Sequence, residues 1–338
     1  MALSPKESGA FIAKHATHVF IDREGVQKVA SEVYEALKKG ALNVQGFSQV
    51  ELHPKKTDKD AADWIFVVDT LNFCFWKPPN SKEKWETHFR GKTYTGYFAL
   101  CAAVNRAIEE GVPLTDPKFY SEVTLNDLQK IFRSGTAQPM PLLEERQKCL
   151  HEVGKVLLEK YNGSFVNCIR ESEGSAQTLL NIITTNFPCF RDEAEFHNQK
   201  VALYKRAQIL VGDIWACFHG EDLGKFKDID SLVMFADYRV PQVLVYFGAL
   251  KYSNELMKKL ESDELLPNGS TEEVEIRGCC IEVVELIREE VKKSIAADNK
   301  TDLHINSILI DHFLWDYRRK YADTLESIPF HKTPCVYY

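Results

Sequence analysis

The chain has 338 residues, 44% of them hydrophobic and 27% charged, the balance of a soluble globular protein with one large or two ordinary domains. Its 42 basic and 49 acidic side chains leave a formal charge of −7, so no overall basic field points to a nucleic-acid surface, while one local cationic pocket would serve a small phosphorylated ligand. Nine scattered cysteines without a Cys-x-x-Cys pair, and the lack of a His-Glu-x-x-His run, argue against a disulfide framework or a zinc module. They point instead to reduced, buried thiols in a cytoplasmic protein. No apolar run approaches the length of a membrane span.

In chain order, Ser4-Pro5-Lys6-Glu7 reads as a helix start, with serine as N-cap, proline in the first turn and glutamate closing a capping box. His15 and His18 have helical spacing but no third ligand, so they read as structural. The run Trp64 to Trp76 is rich in β-branched and aromatic residues and predicts a strand. Trp85 to Phe89 alternates, and Arg90-Gly91-Lys92 supplies a turn before Tyr94, so a small antiparallel sheet packed on helices is expected. Helices follow over Tyr97–Glu110, from Thr124 towards Gly135, and over Pro141–Tyr161, Ser175–Asn186 and Tyr204–Phe218. More are predicted over Pro241–Leu250, Ser253–Leu260, Thr271–Ala296 and Ile305–Tyr321. Lys77–Lys84 and Pro267–Ser270 read as surface loops. The expected fold class is mainly α, with the small antiparallel sheet in the N-terminal third. The expected organisation is one compact unit over 1–338, an α/β elaboration over about 1–115 carrying a helical body over about 116–338.

Chemistry concentrates in two segments. Phe235-Ala236-Asp237-Tyr238-Arg239-Val240-Pro241 sets a carboxylate between apolar neighbours, just before a proline that disfavours the α conformation at Val240. Asp237 is therefore expected on a helix-initiating bend, with Phe235 as an aromatic wall; an ion pair or an N-cap would use the same residues. On the last helix, Asp311, His312 and Asp316 fall within an arc of about 140° at helical spacing, beside Trp315. That face either meets a ligand or is simply solvated. Lys205 and Arg206 open an apolar helix and suit a phosphate, although snorkelling surface cations would look alike. His53, before Pro54, has the weight of any lone histidine. No phosphate-cradling glycine loop and no Gly-x-Ser-x-Gly occurs, which lowers kinases, dinucleotide oxidoreductases and α/β-hydrolases.

Several blocks together resemble the queuosine salvage protein family, the queuosine 5′-phosphate N-glycosidases. They are Trp64 to Trp76, Arg90-Gly91-Lys92-Thr93-Tyr94, Cys101 to Ala107, Tyr204 to Gln208, Phe235 to Arg239, Val274 to Cys279 and Leu314-Trp315-Asp316-Tyr317. The resemblance implies hydrolysis of queuosine 5′-monophosphate to queuine and ribose 5-phosphate, for reuse of queuine in tRNA. It implies a helical body similar to the helical DNA glycosylases, with no metal or organic cofactor. The expected partner is a small-molecule substrate, without a stable nucleic-acid complex or a membrane. By position, Asp237 is then the catalytic carboxylate, and His53, Phe235, Asp311, His312 and Asp316 bind the base. Lys205, Arg206 and Arg239 are candidates for the 5′-phosphate. The family pattern has tyrosine where this chain has His312. A non-catalytic carrier of queuine or another nucleobase, using the same pocket, is the alternative.

Overall fold

A computed structural model describes residues 2–79 and 81–338; Asn80, inside the loop expected over Lys77–Lys84, lies outside the described residues, as does Met1. Among the described residues the chain is mainly helical, with three separate two-stranded antiparallel sheets in place of one. Two compact units alternate along the sequence. One gathers Met1–Asn43, Asp192–Gln208 and Asp230–Thr333; the other gathers Val44–Arg191, Ile209–Ile229 and Pro334–Tyr338. The division does not follow a boundary near residue 115, and it passes within the helix Lys205–Cys217.

The first unit is built on the helix Thr271–Ala297, in which Val274, Ile276, Cys280, Val283, Val284 and Ile287 are wholly buried. The helix Pro5–His15 begins with the expected capping box between Ser4 and Glu7 and packs along it. Two glycines permit that approach: a Cβ on Gly278 would lie 2.4 Å from Ile12 Cδ1, and one on Gly9 would lie 2.7 Å from Ile281 Cγ2. The helix Arg23–Lys38 packs on the same long helix. Between these helices, strand Val19–Ile21 pairs with Leu250–Tyr252, which takes the end of the helix expected to run to Leu250. The buried Glu275 carboxylate accepts the backbone N–H groups of Thr17, His18 and Val19 and so fixes the entry to that strand. The last long helix, Ser307–Lys320, is capped by Asn306, whose Oδ1 accepts the Leu309 N–H. It packs on the short helix Val240–Tyr246 and on the long helix, and these three frame residues 232–239.

In the second unit the strand expected over Trp64–Trp76 is instead the helix Lys59–Thr70, followed by irregular chain. Asp58 caps it, its Oδ1 accepting the Ala61 N–H at 3.0 Å. Every residue from Ala61 to Thr70 is buried, so no polar face interrupts the apolar run, and a short run of that kind carries no period to separate helix from strand. The hairpin Glu86–Phe89 with Lys92–Thr95 forms as its turn residues predict. Helix Tyr97–Glu109 buries Ala99 through Val104 completely, a close seat made possible by small side chains. All nine cysteines are buried, as their apolar surroundings in the sequence implied.

Candidate active site

Residues 232–239 of the first unit have no regular structure, so their backbone groups need side-chain partners. Gln208 Oε1 accepts the Val233 N–H at 3.2 Å, and Asp311 Oδ1 accepts the Phe235 N–H at 3.0 Å. Arg277 Nε donates to the Ala236 carbonyl at 2.9 Å. Asp237 Oδ1 accepts the N–H groups of Arg239 at 2.9 Å and Val240 at 2.8 Å, where helix Val240–Tyr246 begins with Pro241 in its first turn. A bend at Tyr238 and Arg239 does lead into the helix, and Asp237 caps it; Val240, expected to avoid the α conformation before Pro241, is instead the first helical residue. The capping consumes one oxygen. Among the described residues no group donates to Asp237 Oδ2, and the residue is only partly buried.

The electrostatics follow from this enclosure. Burial raises the Asp237 carboxyl above the usual carboxylate range, while the Lys205 charge, the two capping N–H groups and the Arg239 charge pull it back. Asp311, 5% exposed, is pushed well above that range by burial and then by the Asp237 charge, against the Phe235 N–H and Lys205. Two neighbouring acids in such a setting do not both ionise easily, and Asp311, without a capping pair of N–H groups, is the one pushed further towards its protonated form. Burial also lowers the His312 imidazole to about 4, so its ring is neutral at pH 7. Its centroid is 6.4 Å from that of Phe235, which is 3% exposed and forms the expected aromatic wall. Asp316, the outermost of the three acidic-helix residues, is exposed in area. Its carboxyl is still raised by the protein around it, with the Arg319 guanidinium offsetting the rise. That guanidinium lies 4.9 Å from the Trp315 ring centre.

The phosphate candidates separate. Lys205 is 6% exposed and acts on both Asp237 and Asp311, and its backbone N–H is held by the Asp192 carboxylate at 3.0 Å. Arg206 is 1% exposed, within the core and not at a surface. Arg239 donates to Gln242 Oε1 at 3.1 Å and Glu326 Oε2 at 3.4 Å, and lies 4.0 Å from the Phe330 ring centre. Among the described residues no cluster of His, Cys, Asp or Glu is arranged to hold a metal.

His53 belongs to the second unit, where both of its ring nitrogens are engaged. Nδ1 lies 2.9 Å from the Phe47 carbonyl, which only accepts, so Nδ1 carries the proton. In the neutral ring Nε2 then takes the Tyr97 hydroxyl at 2.9 Å. The Phe47 ring covers the imidazole at 4.0 Å between centroids, and Trp64 stands edge-on at 5.9 Å. The Tyr97 hydroxyl is driven far above its usual range by burial, reinforced by Cys101, Asp213 and Asp69. What His53 can offer a ligand is ring surface more than a free nitrogen. Tyr97, Asp192, Gln208 and Arg277 were not singled out by sequence; an arginine within the apolar run Val274–Ile281 was the available signal for one of them.

The sequence profile described as queuosine salvage protein matches residues 52–338, a span that holds every candidate residue above. The chain belongs to the queuosine salvage protein family. It is 50% identical to the queuosine 5'-phosphate N-glycosylase/hydrolase of Bos taurus, over 99% of both chains. The Mus musculus protein of that name is 49% identical over the same shares. That of Sphaerobacter thermophilus is 39% identical over 97% of this chain and 95% of its own.

Proposed function

We propose that this chain is an N-glycosyl hydrolase that cleaves queuosine 5′-monophosphate to queuine and ribose 5-phosphate. The observation that carries the reading is the state of Asp237: one oxygen fixed by two backbone N–H groups, the other unclaimed, beside a buried phenylalanine and a second acid. The relatives' shared activity across animal and bacterial chains supports the substrate class.

Breaking the bond between C1′ and the base nitrogen leaves positive charge on the ribose. Asp237 stabilises that charge and orients the water whose oxygen bonds to C1′. The water's hydroxyl stays on the sugar, and its other proton ends on the base nitrogen that departs with the bonding pair. Asp311, biased by burial towards its protonated form, is the group that would give the base edge a hydrogen-bond donor where an ionised acid would only accept. Phe235 and the neutral His312 supply flat surface for the heterocycle. Asp316, the exposed acid, suits the ammonium on the cyclopentenediol arm. Lys205, close to both acids, is the first choice for the sugar-phosphate side; Arg239 and Arg206 follow.

Mass spectrometry of products from the pure protein with the nucleotide, the nucleoside and intact tRNA in parallel tests the reading, without added metal. Release of queuine from the nucleotide supports it. Tight binding of queuine with no product from any of the three establishes the carrier instead.

A further inference from the structure

We propose that Arg277 and Asp192 are positioning residues for this hydrolysis, a buried clamp that sets the separation of the Asp237 carboxylate and the Lys205 ammonium. The proposal rests on the reading of Asp237 given above. Arg277 Nε donates to the carbonyl of Ala236, the peptide that leads into Asp237, at 2.9 Å. Its Nη1 and Nη2 donate to Asp192 Oδ1 and Oδ2 at 2.9 and 2.6 Å, and Nη1 also reaches Glu273 Oε1 at 3.2 Å. Asp192 passes the constraint on. Oδ2 accepts the Lys205 N–H at 3.0 Å, and its backbone carbonyl accepts the N–H groups of Leu203 at 3.0 Å and Tyr204 at 3.3 Å. Tyr204 sits at φ +49°, a left-handed conformation uncommon for a residue with a side chain.

One planar guanidinium therefore joins the two stretches of chain that deliver the site's fixed anion and its nearest fixed cation. Arg277, Asp192 and Glu273 are 1%, 3% and 1% exposed. Removing three ions from water is expensive, and packed apolar side chains would often be as stable, so stability alone is a poor reason for the cluster. The fork gives what apolar packing lacks, donors at fixed angles to acceptors on both segments. Charge stabilisation at a reacting centre depends on that kind of placement, because small displacements cost large factors in rate.

The test measures thermal midpoint, kcat and KM for queuosine 5′-monophosphate in Arg277→Lys, Asp192→Asn and Arg146→Lys. Arg146 is a control: an arginine at 0% exposure whose guanidinium donates to the Leu71, Phe73 and Cys74 carbonyls in the second unit. The clamp predicts folded R277K and D192N with kcat lower by about 10- to 100-fold and KM within about threefold, while R146K keeps kcat within about twofold. R277K at wild-type kcat, an equal fall in R146K, or loss of fold in both R277K and D192N overturns the proposal. Should R277K alone fail to fold, D192N decides by the same criteria. Wild-type protein that yields no product defeats the functional reading, whereas wild-type turnover with an unaffected R277K defeats only the clamp.

Discussion

Asp237 is asked to do two things with two oxygens. Oδ1 caps the following helix, and Oδ2 faces the chemistry in the proposed function. Asparagine keeps the capping oxygen and removes the charge, so Asp237→Asn is expected to fold normally and lose about 10²–10⁴-fold in kcat, as steady-state assays would record. Turnover near wild type in that variant would take Asp237 out of the mechanism. Asp311 has a folded-state pKa far above its unfolded value, so its favourable contribution is complete below the unfolded value and is lost as pH rises through the folded one. Asp311→Asn, which is neutral at every pH, should gain thermal stability relative to wild type between pH 4 and pH 8; calorimetry that finds a constant difference would contradict the assignment. His312 runs the other way. Its pKa falls to about 4 on folding from an ordinary value of 6.5, so the stability it contributes above 6.5 is lost as pH drops towards 4. In His312→Phe the thermal midpoint should decline less over that window.

Elements place these residues, and here the sequence was legible in some stretches and silent in others. Prolines, caps and glycines announced the helix starts at Ser4, Thr124, Ser175 and Ser253, each of which accepts a capping N–H. Asp237 and Asp311 stood out because acids among apolar and aromatic neighbours need a reason to be there. Lys59–Thr70 was misread because complete burial erased its polar face. Asp192 left no trace, lying in an ordinary charged stretch; its importance comes from partners distant in sequence. The helix reading of Lys59–Thr70 makes a claim of its own: Asp58→Ala should cost about 1 kcal/mol in denaturant unfolding, the usual effect of losing an N-cap, whereas a strand start would lose nothing comparable.

For the whole molecule, the nine buried cysteines give a direct check on packing. Burial raises the thiols of Cys74 to about 11 and Cys217 to about 12, and it raises Cys101 and Cys280 well above the usual thiol range as well. The native protein should resist a thiol reagent at pH 8 and take up nine equivalents once unfolded; fast native labelling would expose an error in the core.

The alternation of the two units along the chain has a consequence during synthesis. Residues up to Asn43 share a unit with residues as late as Thr333, and strand Val19–Ile21 finds its partner only at Leu250–Tyr252. At about 5–20 residues per second, between a quarter of a minute and a minute separates the emergence of those two ends from the ribosome. Through most of that interval the amphipathic helix bearing Ile12 has no long helix to lie on. The first apolar surface of the nascent chain is therefore left without its partner until late in synthesis, which ties completion of this unit to the end of translation.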